Sequence, residues 1–245
     1  MKNFKFLLLG VALMVVTMFS SCLKSDDTPN NYMTYVTVGS GYLGTEYLIQ
    51  DITGIKMVAP ASSMLVYDLK VGDRALLTYK LQDGFTADIN TKEYKIDVIN
   101  CQKIPSRRIL EKPVVGSAGD TLRNDSIASF YAAAYYWGFP EVWAYNGYVT
   151  TGIIFYAKSY GYVDLIKDNI NKDTLFLKLN LNADRGSNQG GGNYSFYMPE
   201  KMELTSAGIQ PKNDSIVVAV SAKVMDGYSS GTKKESRYWK YKLNY

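Results

Sequence analysis

The chain has 245 residues, of which 47% are hydrophobic, 20% charged and 13% aromatic, with a formal net charge of +4. That balance excludes a disordered chain, a collagen and a membrane bundle, and it supplies apolar surface for one or two packed cores. Histidine is absent and the cysteines are two, Cys22 and Cys101, so imidazole-based triads, His-ligated zinc and Cys-pair zinc sites are excluded.

Lys2 and Lys5 flank the start of an apolar run from Phe6 to Phe19, broken only by Gly10 and Thr17. As a helix at ~1.5 Å per residue this run reaches roughly 21 Å, short of a ~30 Å hydrocarbon core. It has the length of a signal-peptide apolar region. Phe19-Ser20-Ser21-Cys22 resembles a bacterial lipobox, with Phe19 where leucine is usual. The reading is a signal peptide over 1–21 and a lipidated Cys22 as the mature N-terminus. The protein is then lipid-anchored in the cell envelope, at the outer membrane, facing either the periplasm or the surface. Residues 22–31 make a flexible polar tether. Loss of the signal removes two lysines and leaves a chain close to neutral. Arg107-Arg108 and Lys233-Lys234 are isolated basic pairs, so nucleic acid is not a partner.

Beyond residue 32 the dominant period is two. Leu77, Tyr79 and Leu81 alternate with Thr78 and Lys80, and Tyr94, Ile96 and Val98 alternate with Lys95 and Asp97. Leu175, Leu177, Leu179 and Leu181 share one face of the clearest strand. Ile216, Val218, Val220, Ala222 and Val224 line another, and Trp239, Tyr241 and Leu243 a last one. Turn signals fall at Val71-Gly72-Asp73, at Gly186 to Gly192, at Asp226-Gly227 and at Gly231. A short helix or irregular entry is expected over Asp125–Trp137, ended by Gly138-Phe139-Pro140. The pattern predicts an all-β protein: an OB-like barrel over 32–104, a Pro/Gly-punctuated linker over 105–123, and an antiparallel β-sandwich over 124–245. The two units are expected to be separable.

Three stretches carry the pattern of a known family: Tyr35-Val36-Thr37-Val38, Leu69 to Tyr79, and Tyr94 to Val98. Asp173 to Leu179 and Ser195-Phe196 continue it. Together they resemble the NigD-like lipoproteins of Bacteroidetes. The resemblance implies an N-terminal OB-like barrel and a C-terminal sandwich behind a lipid anchor. It also implies an immunity-like role, and it brings no catalytic residues. Asp26-Asp27 in the tether resembles the surface-export signal of lipoproteins from the same phylum. Four Asp-Ser/Thr-aliphatic triplets resemble that phylum's O-glycosylation acceptor, which makes Thr121, Ser126, Thr174 and Ser215 candidate sites.

Gly227-Tyr228-Ser229-Ser230-Gly231 matches a nucleophile elbow, but no histidine exists and a strand follows where a helix is required. Ser230 to Lys233 fits S-x-x-K by chance in the same loop. Gly186 to Gly192 lacks the ending of a phosphate loop and reads as a connection between strands, with contact as its functional alternative. Asp83 with Asp88, and Asp164 with Asp168, read as solvated pairs rather than glycosidase carboxyls. Cys101 reads as a small buried hydrophobe. No cofactor is expected. The aromatics from Tyr131 to Tyr148 are too dense to be buried entirely, which makes Tyr135, Tyr136, Trp137, Trp143 and Tyr145 a candidate contact surface. The expected function is a non-catalytic binding module for an envelope or extracellular protein. A glycan-binding lipoprotein comes second, and a carboxylate-only glycosidase or lyase third.

Overall fold

The computed structural model describes residues 31–41, 44–82, 90–112, 128–131, 139–158, 162–182, 186–225 and 232–243. Residues 33–245 form one compact unit. The fold is all-β, as the period-two patterning requires.

The first five strands are β1 (Tyr32–Ser40), β2 (Glu46–Gln50), β3 (Lys56–Val58), β4 (Arg74–Leu81) and β5 (Glu93–Ile104), with helix α1 (Ala61–Val66) between β3 and β4. They close into a barrel in the order β1-β2-β3-β5-β4. β3 runs parallel to β5, and β1–β2, β2–β3 and β4–β5 are antiparallel. That order, with the helix after β3, is the OB arrangement. Alternate side chains Val36, Val38, Leu48, Met57, Ala75, Leu77, Tyr79 and Ile96 fill the interior. Cys101 packs against them as a half-buried thiol, and burial pushes its pKa up to about 11.

The chain leaves the barrel through β6 (Ser106–Arg108), which pairs in parallel with β12 (Asn188–Tyr197); Leu110 then bridges to Ile166. The remaining strands are β7 (Ala128–Phe130), β8 (Val142–Tyr145), β9 (Tyr148–Ala157), β10 (Tyr162–Asn171), β11 (Thr174–Asn182), β13 (Ser215–Met225) and β14 (Thr232–Lys242). They build two facing sheets, β10-β11-β13-β14 and β6-β12-β9-β7, with β8 also paired to β9. The four leucines of β11 pack against Val218, Val220, Val149, Ile153 and Phe196 in one core. Each such side chain contributes ~1.5–3 kcal/mol on burial. Two-residue turns join β8 to β9 and β10 to β11. Asn146-Gly147 joins β8 to β9 with both φ positive, the geometry that matches strand twist and that Asn-Gly favours.

Three expectations change. Ala128–Phe130, within the stretch expected as a short helix or irregular entry, is a strand on β9; the alanine run Ala132 to Ala134 lies outside the described residues. Gly190 to Gly192, read as part of a loop, lie inside β12 opposite Ile153 to Phe155. A Cβ at Gly190 would stand 2.7 Å from the Phe155 ring; the ring occupies the space the missing side chain leaves, so the strand continues through the glycines. Two one-turn helices appear, α1 and α2 (Lys201–Ser206). The second is held by a capping box between Glu200 and Glu203, with glutamate in the place usually taken by serine or threonine.

Candidate functional site

Barrel and sandwich meet along a seam built around one buried ion pair. Arg74 opens β4, and Asp51 follows the last residue of β2; both side chains are fully buried. Arg74 donates twice to the Asp51 carboxylate, through Nη1 and Nη2, each at 2.5 Å. Its remaining donors reach Thr37 Oγ1 at 2.7 Å, Thr150 Oγ1 at 3.0 Å and Ser195 Oγ at 3.5 Å. The indole N–H of Trp143 donates to Asp51 Oδ2 at 2.8 Å. Two charges removed from water are tolerable only when their donors and lone pairs are used in this way. Around them Tyr35, Phe139 and Trp143 pack ring against ring at 4.6 to 5.3 Å between centroids. Burial pushes the phenols of Tyr35 and Tyr148 up to about 12, against the pull of Arg74. Tyr148 also donates its hydroxyl to the Gly72 carbonyl. These bonds join β1, β2 and β4 of the barrel to β8, β9 and β12 of the sandwich.

At α1 the barrel carries an exposed apolar cap. α1 buries one side chain, Met64, in the barrel. A single turn leaves the next two residues pointing away, and Leu65 and Val66 are 80% and 77% exposed. Tyr67 donates its hydroxyl to the Ile99 carbonyl at 3.1 Å, tying the end of α1 to β5. Thr78 pairs with Asn100 and Tyr79 with Val98, so Ile99 is the unpaired residue of a bulge, and it is exposed. Val71, in the turn before β4, is exposed as well. Asp68, Asp73 and Lys103 edge this region, with Lys103 Nζ 2.9 Å from Asp73 and 3.5 Å from Asp68. Its bond to Asp73 holds the Lys103 ammonium above its ordinary pKa.

The residues singled out from sequence fall elsewhere. Trp143, expected on a contact surface, is 2% exposed and belongs to the seam, because its indole N–H satisfies Asp51. Tyr145 is half-buried on the partly packed margin of the same cluster. Tyr135, Tyr136, Trp137, Cys22, Thr121, Ser126, Ser229, Asp83 and Asp88 lie outside the described residues. Thr174 is half-buried and donates to Asp173 at 3.1 Å. Ser215 is 8% exposed and donates to the Asn213 carbonyl at 3.2 Å within its own turn. Asp164 and Asp168 do not act as a pair: Asp164 faces Arg107 at 3.5 Å, and Asp168 faces Lys234 at 3.8 Å. A cavity of about 700 Å³ beside α2 is lined by Arg108, Glu111, Lys167, Tyr197, Glu200 and Glu203 among others. Its carboxylates are engaged: Glu111 accepts from Lys167 at 3.2 Å, and Glu203 accepts the Glu200 backbone N–H at 3.2 Å. Among the described residues, no group of three or more acidic or cysteine side chains is placed to hold a metal ion.

No family model and no curated protein matches the sequence. Solved structures do. A candidate toxin-related protein from Parabacteroides distasonis superimposes with a TM-score of 0.58 at 20% identity, over 88% of this chain and 95% of its own. A candidate lipoprotein from Bacteroides fragilis gives 0.60 at 12% identity, over 87% and 99%. A NigD-like immunity protein from Bacteroides caccae gives 0.51 at 14% identity, over 84% and 92%. The chain has the NigD-like fold. At these identities the likeness is one of fold, and it covers barrel and sandwich together.

Proposed function

We propose that the chain is a non-catalytic binding module of the cell envelope, lipid-anchored through Cys22, whose barrel cap docks on a protein partner as an immunity protein would. The observation that carries this reading is the exposure of Leu65 and Val66 side by side at the end of α1, with Ile99 brought close by the Tyr67 hydroxyl. Burying two such side chains in a partner is worth ~1.5–3 kcal/mol each, the size of an interface hot spot. The buried, multiply bonded seam supports the reading as well, since a pre-organised scaffold loses little freedom on binding. The signal peptide and lipobox, and a fold shared with a candidate lipoprotein and a NigD-like immunity protein, support the envelope setting. A glycan ligand is the second reading. It is favoured by the half-exposed Tyr197 ring beside Arg108 and Lys167 in the cavity next to α2.

A photo-crosslinking residue at Leu65, expressed in the native host, should give one discrete protein adduct. The same residue at Lys178, on the sandwich, should give none. An adduct pattern independent of position would end the protein-docking reading, and loss of retention on polysaccharide in a Tyr197→Ala variant would favour the glycan.

A further inference from the structure

Sheet edges expose backbone donors and acceptors, and most edges are blunted by charge, bulges or cover. The sheet β10-β11-β13-β14 follows that practice. β14 carries Lys233, Lys234, Glu235, Arg237, Lys240 and Lys242. β10 carries a bulge between Lys167 and Asn169 and is crossed by Leu110. The opposite sheet does not. β6 covers only Ser195 to Tyr197 of β12, and among the described residues nothing pairs with the outer edge of Asn188 to Asn193. That strand, Asn-Gln-Gly-Gly-Gly-Asn-Tyr-Ser-Phe-Tyr, holds no charged residue, no proline and no bulge against β9.

We infer that this free edge of β12 pairs with the same edge of a second copy of the chain, in antiparallel register about a two-fold axis through Gly191. The backbone fixes the register. Ser195 donates its N–H outward to the Pro105 carbonyl at 3.1 Å. By strand alternation, the N–H and C=O groups of Gln189, Gly191 and Asn193 point outward too. With Gly191 opposite its own symmetry mate, Gln189 of each copy faces Asn193 of the other. Each of these three opposed pairs then exchanges two main-chain hydrogen bonds. A register moved by two residues loses one such pair, and a register moved by one sets outward groups against inward ones.

Charge argues for a second copy in particular. An isologous contact sets two copies of one strand together, so a strand with a strong excess of one charge sign repels its copy. The lysine-rich β14 cannot pair with itself in this way; β12 can. The ends of the free stretch also fit. Pro105 closes it on one side through its bond to Ser195. On the other side the chain at Gly186 turns toward β9, so close that a Cβ there would stand 2.2 Å from the Lys158 nitrogen. Gly192 adds a notch, since a Cβ there would meet nothing within 4 Å.

The contact is small, so a reversible dimer with a Kd of roughly tens of micromolar is expected. The test is sedimentation equilibrium of the chain from Leu23 onward, which keeps the whole compact unit, up to about 500 µM. Gln189→Pro removes an outward N–H without touching the ladder to β9, and should weaken association by about 100-fold. Tyr238→Ser, on the exposed face of β14, should leave it unchanged. Amide exchange at Gly191 should slow as the concentration of the native chain rises, a readout that needs no variant. A chain monomeric at every concentration, a dimer that survives Gln189→Pro, or a Gly191 amide indifferent to concentration would each overturn the inference. Capture of an unrelated extended peptide by the monomer would do so as well, in favour of strand addition by a foreign partner. The result is independent of the barrel cap, whose crosslinks report on a different surface.

Discussion

Among the described residues two aspartates are buried, each facing an arginine, and their surroundings are opposites. Asp51 sits in the seam between barrel and sandwich with its side chain wholly covered, held by two bonds from an equally buried Arg74 and a third from Trp143. Asp164 sits on the edge strand of the sandwich with its side chain 9% exposed, and meets Arg107, itself 47% exposed, at 3.5 Å. Burial drives the Asp164 pKa up, and the arginine only partly opposes that rise. The comparison teaches that burial alone does not make an ion pair a structural device. What distinguishes the seam is the number of donors that converge on the carboxylate and on the threonine and serine hydroxyls around it.

The contrast breaks most sharply at Asp51. Asp51→Asn leaves Arg74 buried without a countercharge and should cost ~3–5 kcal/mol. Because Arg74 reaches both units, barrel and sandwich should lose stability together, in one transition, although sequence spacing suggests separable parts. Chemical denaturation followed by tryptophan fluorescence and by far-ultraviolet dichroism would check this. Two separated transitions would show that the seam does not couple the units. Trp143→Phe keeps the ring and removes only the indole donor to Asp51, so a smaller loss of ~1.5–3 kcal/mol is expected from the same melts.

Much of this could be read from the residues in order. The leucines of β11 and the valines of β13 announce strands with one buried face, and the barrel follows from the alternation in β4 and β5. The seam was not legible, for a physical reason. Arg74 looks like the polar start of a strand, and its partners Thr37, Asp51, Thr150 and Ser195 are scattered along the chain with no local spacing to betray them. Trp143 was drawn to the surface by the density of aromatics around it, although its single N–H was a hint of a buried acceptor. Glycine propensity made a loop of residues that Phe155 covers within a strand. The barrel cap was equally hidden: α1 has no side-chain N-cap, and Leu65 with Val66 look like core until the helix proves to be one turn long.

Among the described residues two buried side-chain oxygens have no hydrogen-bond partner, Asn193 Oδ1 and Thr151 Oγ1, and the second lies in the sandwich core. Thr151 lies between Val149 and Ile153 on β9, wholly buried, and its hydroxyl has no hydrogen-bond partner among the described residues. Valine has nearly the same shape and no oxygen to desolvate. Thr151→Val should therefore stabilise the protein by ~1 kcal/mol, which raises Tm by roughly 2–4 °C in a domain of this size. A lower Tm would mean that the hydroxyl is used.

Asp164 offers the smallest effect, and the one whose sign separates it from Asp51. Its folded pKa lies above the ordinary value of 3.8, so the native state binds the proton more tightly than the unfolded chain does. The stability it contributes is fully present below that ordinary value and is lost as pH rises through the raised one. At pH 7 the charged carboxylate is thus a burden, lightened only by the half-exposed Arg107, whose screened attraction is weak. Asp164→Asn should raise Tm by a degree or two at pH 7 and leave it unchanged near pH 3, where the native carboxyl is already neutral. Asp51→Asn at pH 7 moves the other way and by far more. Thermal melts of the three proteins at the two pH values decide the matter. If Asp164→Asn lowered Tm at pH 7, then Arg107 would be holding its carboxylate as firmly as Arg74 holds Asp51, and the distinction between the two sites would fall.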